Sequence, residues 1–129
     1  MFKINKVHHI AIICSDYQKS KLFYTEVLKL SIVREVYRAE RRSYKLDLEV
    51  AGQYQVELFS FPGPPARPTN PEAAGLRHIA FSVDNIDDAI NHIANYGVIA
   101  EPVRIDEFTG KRYTFFPDPD GLPIEFYEA

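Results

Sequence analysis

The stretch HHIAIICSD at 8–16 recurs as RHIAFSVDN at 77–85, with His-Ile-Ala in register at 9–11 and 78–80. Further on, QVELF at 55–59 is echoed by PIEFY at 123–127. His78 follows His9 by 69 residues and Glu125 follows Glu57 by 68, so a single insertion reconciles the two copies. A chain that repeats one order of elements at a fixed spacing is built from a duplicated supersecondary unit, and each copy has to supply its own sheet and helix.

Within each copy the patterning reads strand, helix, strand, strand, strand. KVHHIAIICS is an Ile/Val-rich strand, and Ser15 or Asp16 caps a helix over YQKSKLFYTEVLKL. LSIVREVY, SYKLDLEVA and YQVELFSF follow as strands. In KLDLEV, Leu46, Leu48 and Val50 alternate with Lys45, Asp47 and Glu49, which describes a sheet with two unlike faces. The second copy runs LRHIAFSV, an Asp84-capped helix in NIDDAINHIANYG, then VIAEPVRI, KRYTFFP, the turn DPDG and LPIEFYE. FPGPPARPTNPEAAG at 61–75 holds five of the nine prolines and reads as a linker. The expected fold class is α+β: one domain of two tandem βαβββ modules, about 4–61 and 76–129, joined by the proline-rich linker 62–75.

Composition narrows the function. A net charge of −3, with RAERR at 38–42 as the only basic run, gives no reason to expect nucleic acid. The single cysteine, Cys14, excludes an internal disulfide framework and sits in an apolar run that suits a buried structural role. MFKINKVHHI lacks the apolar core of a signal peptide and no stretch is long and apolar enough to span a membrane, so the expectation is a cytoplasmic protein without a membrane partner.

The repeat also separates the two adjacent histidines. His8 corresponds to Arg77, whereas His9 corresponds to His78. By strand alternation His9 shares a face with Val7, Ala11 and Ile13, while Ile10, Ile12 and Cys14 turn the other way, toward the helix. Glu57 and Glu125 likewise stand opposite their apolar neighbours. An unpaired buried carboxylate costs several kcal/mol or shifts its pKa until neutral. A divalent cation removes that cost: two carboxylates balance its charge and two neutral imidazoles complete the set. His9, Glu57, His78 and Glu125 are therefore the candidate metal ligands. Mixed N and O donors that leave two positions open on a six-coordinate ion suit Ni²⁺, Co²⁺, Mn²⁺ or Fe²⁺, and Zn²⁺ less well.

At these residues the sequence resembles the vicinal oxygen chelate superfamily, the glyoxalase/bleomycin resistance/dioxygenase group, and within it the small bacterial glyoxalase I-like proteins. The resemblance covers almost the whole chain, through HHIAIICSDYQKSKLFYTEVLKL, QVELF, GLRHIAFSVDNID and FFPDPDGLPIEFYE. It implies paired modules curved around a divalent metal, the same four ligands and a homodimer. It also implies a lactoylglutathione lyase-like reaction, the isomerisation of a 2-oxoaldehyde–thiol hemithioacetal through a metal-stabilised enediolate. One departure is Lys29, which stands where the family commonly has glycine after the first helix.

For the base, Glu125 is the first candidate and Glu57 the second. Phe59 and Tyr127, two residues beyond the glutamates, are expected as walls of the substrate site. Arg112 is expected to contact an anionic substrate, from a set that also includes Arg38, Arg41, Arg42 and Lys111. His92 lies outside the apolar stripe of the second helix and is expected in solvent. Three other readings share the fold. One is an Fe²⁺ ring-cleaving dioxygenase using His9, His78 and Glu125 as a facial triad, against which Glu57 argues as a fourth ligand. The others are a non-enzymatic drug-binding resistance protein and an antibiotic-modifying thiol transferase.

Overall fold

The computed structural model describes all residues, Met1–Ala129. The chain divides into two compact units, Met1–Ala66 and Arg67–Ala129, with the boundary inside the proline-rich stretch. Each is a βαβββ module.

In the first unit, β1 (Ile10–Cys14) leads into α1 (Tyr17–Leu22), whose N-terminus is capped by the Asp16 side chain accepting from the Lys19 amide. The helix widens into a π-type turn at Phe23–Val27 and stops at Lys29, which takes φ 61°. Lys29 therefore takes a left-handed conformation despite its Cβ, where glycine would be unstrained, at a cost of roughly 1–2 kcal/mol. Three strands follow: β2 (Ser31–Arg38), β3 (Ser43–Val50) and β4 (Gln53–Ser60). The sheet order is β1-β4-β3-β2, with β1 parallel to β4 and the other pairs antiparallel. Leu46, Leu48, Val56, Leu58, Ile12 and Cys14 form its buried face together with Tyr24, Phe23 and Val27 of the helical segment.

The second unit repeats this plan with β5 (Ile79–Val83), α2 (Ile86–Ala94), β6 (Arg104–Ile105), β7 (Arg112–Pro117) and β8 (Pro123–Glu128), in the order β5-β8-β7-β6. Its core is Ile86 and Ile93 of the helix with Phe116, Ile124 and Phe126 of the sheet. The helix cap is Asn85 rather than Asp84; the Asn85 side chain accepts from the Asp88 amide. The long strand expected over 98–105 is reduced to two paired residues: Glu101 still donates its amide to the Phe115 carbonyl of β7, but Pro102 has no amide to carry the ladder on, and regular pairing resumes only at Arg104 and Ile105. His92 is half-buried, its ring 5.5 Å from Tyr96, rather than free in solvent. No helix is long and apolar enough to cross a membrane.

Candidate metal centre

Each unit holds one histidine and one glutamate on the sheet face turned away from its helix. In the first, β1 runs beside β4 with Ala11 opposite Glu57, and His9 sits just before β1 on the same face. In the second, Ala80 lies opposite Glu125 and His78 just precedes β5. Both histidines precede their strand instead of lying inside it. His9 Nε2 is 3.5 Å from Glu57 Oε1, and His78 Nε2 is 3.1 Å from Glu125 Oε1. Thus the duplicated sequence positions are duplicated pairs in space, each using the same two atoms.

The pairs fit a divalent cation. Two donors bound side by side at about 2.1 Å from one ion lie about 3.0 Å apart, and both observed separations are within about half an ångström of that. Each unit presents a pair, and the chain gathers no group of three or more His, Cys, Asp or Glu that holds an ion by itself. The remote ring nitrogens differ. His9 Nδ1 is 2.9 Å from His8 Nδ1, so the adjacent histidine, which has no histidine counterpart in the repeat, orients the His9 ring. His78 Nδ1 is buried without a hydrogen-bond partner, and the ring is packed edge-on against Phe115 at 4.9 Å.

The two carboxylates also differ in their surroundings. Glu57 Oε2 accepts a hydrogen bond from the Tyr54 hydroxyl and lies 3.6 Å from Lys45 Nζ. Beside it on β3, Asp47 is only 1 % exposed and takes Lys45 Nζ at 2.6 Å and Arg34 Nη2 at 2.7 Å. Burial alone would raise the Asp47 pKa, but the bonds from Lys45 and Arg34 hold it below the usual carboxylate value. Burial, followed by the bond to Glu57, pushes the Tyr54 phenol above its ordinary range, so it remains a donor at neutral pH. Glu125 has no such belt. Across from it on β7 stands Phe115, in the register place that Asp47 occupies opposite Glu57.

Alternation places Lys45 and Asp47 on the Glu57 face, but it puts Tyr54 and Arg34 on the wrong one. Two register shifts correct them. The β3–β4 ladder passes from Leu48↔Val56 to Glu49↔Tyr54, skipping Gln55, and the β2–β3 ladder passes from Ile32↔Leu48 to Arg34↔Asp47, skipping Val33. Each bulge turns the next side chain to the other face of the sheet.

Among the expected substrate contacts, Phe59 lies two residues beyond Glu57 on its face, and Tyr127 occupies the equivalent place beyond Glu125. The Tyr127 hydroxyl is bonded to Asp106 and Thr109. Arg112 is elsewhere: it is on the helix side of β7, bonded to Glu128 at 2.8 Å and Asp87 at 3.2 Å, and Glu128 in turn accepts the first amide of α2. These ion pairs fasten the helix to the sheet and direct the guanidinium away from the Glu125 face.

Comparison with known proteins agrees with this architecture. The Glyoxalase/Bleomycin resistance protein/Dioxygenase superfamily matches residues 6–126. Protein YwkD of Bacillus subtilis is 58% identical over 125 residues, covering 97% of this chain and 98% of its own. The crystal structure of a glyoxalase family protein from Enterococcus faecalis is 48% identical and superposes with a TM-score of 0.87, over 95% of this chain and 97% of that one. A more distant structure shares the fold alone: the fosfomycin resistance protein FosX of Listeria monocytogenes, complexed with Mn(II), at 20% identity and TM-score 0.77 over 98% of this chain and 94% of that one.

Proposed function

Because the chain belongs to the Glyoxalase/Bleomycin resistance protein/Dioxygenase superfamily, we propose that it is a divalent-metal-dependent lyase or isomerase of glyoxalase I type. In this reading His9, Glu57, His78 and Glu125 hold the cation, and the substrate is a hemithioacetal of a 2-oxoaldehyde and a thiol. The observation that carries it is the duplicated Nε2–Oε1 pair, one in each unit. Mn(II) in the FosX complex supports a cation on this fold. When bound, the cation supplies Lewis acidity toward two neighbouring substrate oxygens and lowers the cost of negative charge there.

The residues divide the remaining work. Glu57, tied to Tyr54 and Lys45, is suited to stay where it is. Glu125, facing Phe115 with neither a lysine nor a phenol bonded to it, is suited to act as base. It takes the proton from the carbon bearing the hydroxyl and sulfur and returns it to the adjacent carbonyl carbon, while the hydroxyl proton passes to the second oxygen. The product is a 2-hydroxy thioester with the same atoms as the substrate. His9 and His78 serve as the nitrogen donors.

The test is metal stoichiometry by elemental analysis after chelation and reloading with Ni²⁺, Co²⁺, Mn²⁺, Fe²⁺ or Zn²⁺, followed by thioester formation from methylglyoxal with a panel of thiols. About one ion per set of four ligands is expected, lost in His78→Ala. Glu125→Gln is expected to lower turnover about 10²–10⁴-fold, the usual worth of a general base. A protein that takes up no stoichiometric metal overturns the reading. One that binds metal but turns over no hemithioacetal leaves the binding-protein alternative.

A further inference from the structure

Several of the cations have counter-charges, and Arg41, Arg42 and Lys111 are exposed. Arg34 and Lys45 share Asp47, Arg112 has Glu128 and Asp87, Arg77 has Glu72, and Arg104 has Glu101. Arg38 is different. It ends β2, is half-buried and pairs with no carboxylate. Its Nη2 donates to Ser43 Oγ at 3.0 Å, and its Nε is buried without a partner. The guanidinium carbon lies 4.9 Å from the centre of the Phe59 ring and 5.9 Å from that of Phe61, two rings stacked at 8° to one another.

From this arrangement we infer that Arg38, seated on Phe59 and Phe61 and steadied by Ser43, is the receptor for an oxyanion carried on the far end of the substrate. A guanidinium keeps its proton under all conditions a protein meets, so its uncompensated charge cannot be removed by titration. Cation–π contact lowers the cost of partial desolvation and fixes the plane of the group, but it leaves hydrogen-bond donors unused. A planar carboxylate or a phosphate is the partner that uses two such donors at once. The contrast within the molecule is informative: Arg104 is likewise stacked, on Tyr113 and Phe115, but it already has Glu101.

Placement ties the receptor to the candidate centre. Register sets Lys45 opposite Phe59 and Asp47 opposite Glu57, and Arg38 opposite Ser43, so all lie on one face in successive rows. At about 3.4 Å per residue, Phe59 is roughly 7 Å along β4 from Glu57. A substrate whose two oxygens lie at the His9–Glu57 pair reaches Arg38 with a short extended tail. The inference rests on the metalloenzyme reading for the near end of the substrate and adds what the far end carries.

Two arms test it. In metal-free wild-type protein, the Arg38 Nε–H resonance is followed by ¹⁵N NMR during titration with glutarate, methyl phosphate and the neutral glutaramide. Saturable shifts with one or both anions and none with the diamide are expected, and the anion that saturates first names the tail. In Ni²⁺-loaded protein, calorimetry compares succinic and glutaric monohydroxamates with their amide-terminated counterparts. The acid-tailed compounds are expected to bind about tenfold tighter or better, as for a charge-assisted bond, and Arg38→Met is expected to remove that preference while leaving the amide-tailed affinity in place. An unmoved Arg38 resonance overturns the inference, as does a preference that survives Arg38→Met. If no hydroxamate binds the Ni²⁺-treated protein yet glutarate moves Arg38, the metal reading has failed and the oxyanion receptor stands.

Discussion

Glu57 and Glu125 are the same residue at equivalent places in a repeat, yet their neighbours give them different chemistry. The Tyr54 hydroxyl and Lys45 hold one oxygen of Glu57 and leave the other for His9 Nε2. Outer partners of this kind commonly contribute 10–100-fold to metal affinity. Tyr54→Phe keeps the ring against His8 and His9, 5.5 and 6.1 Å away, and removes only the donor. The expected result is metal affinity weaker by roughly 10-fold or more, read by competition with a chromophoric chelator, with the melting temperature of the metal-free protein nearly unchanged. Equal affinity in the variant would leave Tyr54 a packing residue. Lys29 acts through its backbone conformation. With φ at 61° and the side chain exposed, Lys29→Gly relieves strain of roughly 1–2 kcal/mol, of which greater chain entropy in the unfolded state takes back part. A net gain of about 0.5–1 kcal/mol in denaturant unfolding is expected.

Between elements, the tie that joins the first helix to its sheet is ionic. Glu35 on β2 accepts from Lys21 Nζ at 2.8 Å and from the Tyr17 hydroxyl. The bond from Lys21, then that from Tyr17, lowers the Glu35 pKa below its ordinary value. A carboxyl whose folded pKa is depressed contributes stability above its unfolded pKa and loses it as pH falls through the folded one. Glu35→Gln is therefore expected to melt lower than wild type at neutral pH, and the two curves are expected to converge on acidification below about pH 4, followed by circular dichroism across the acid range. A constant gap would mean that Glu35 acts through packing instead.

Strand pairing and its irregularities also decide what could be read from the chain. The repeat exposed His9, His78, Glu57 and Glu125, because one strong match at each end fixes the register of everything between. Alternation in KLDLEV exposed the polar face that Asp47 and Lys45 share with Glu57. Tyr54 and Arg34 were not legible, since a bulge adds one residue to a strand without any mark in a period-two pattern. Arg112 looked free because its partners, Asp87 and Glu128, are 25 and 16 residues away and meet it only once α2 and β8 are in place. The short β6 escaped for a related reason, since strand propensity does not guarantee a partner to pair with.

For the whole molecule, duplication means that each unit carries half of the proposed four-ligand set, and a homodimer is one way the halves would be assembled. If one chain's His9 and Glu57 join the other chain's His78 and Glu125, damage can be complemented between chains. A dimer of one His9→Ala chain and one His78→Ala chain then has one site with both defects and one site with none. Co-refolded at equal amounts, half of the dimers are of this mixed kind, so about a quarter of all sites are intact by symmetry. The expected outcome is metal binding and turnover restored to about a quarter of wild type on mixing, from two variants that are each inactive alone. Sites built within single chains give no restoration at all, since every one of them lacks a histidine. Sedimentation of the mixture alongside the metal assay separates that outcome from a failure to exchange partners, because unmixed dimers persist as two parental species resolvable by a mass tag on one variant.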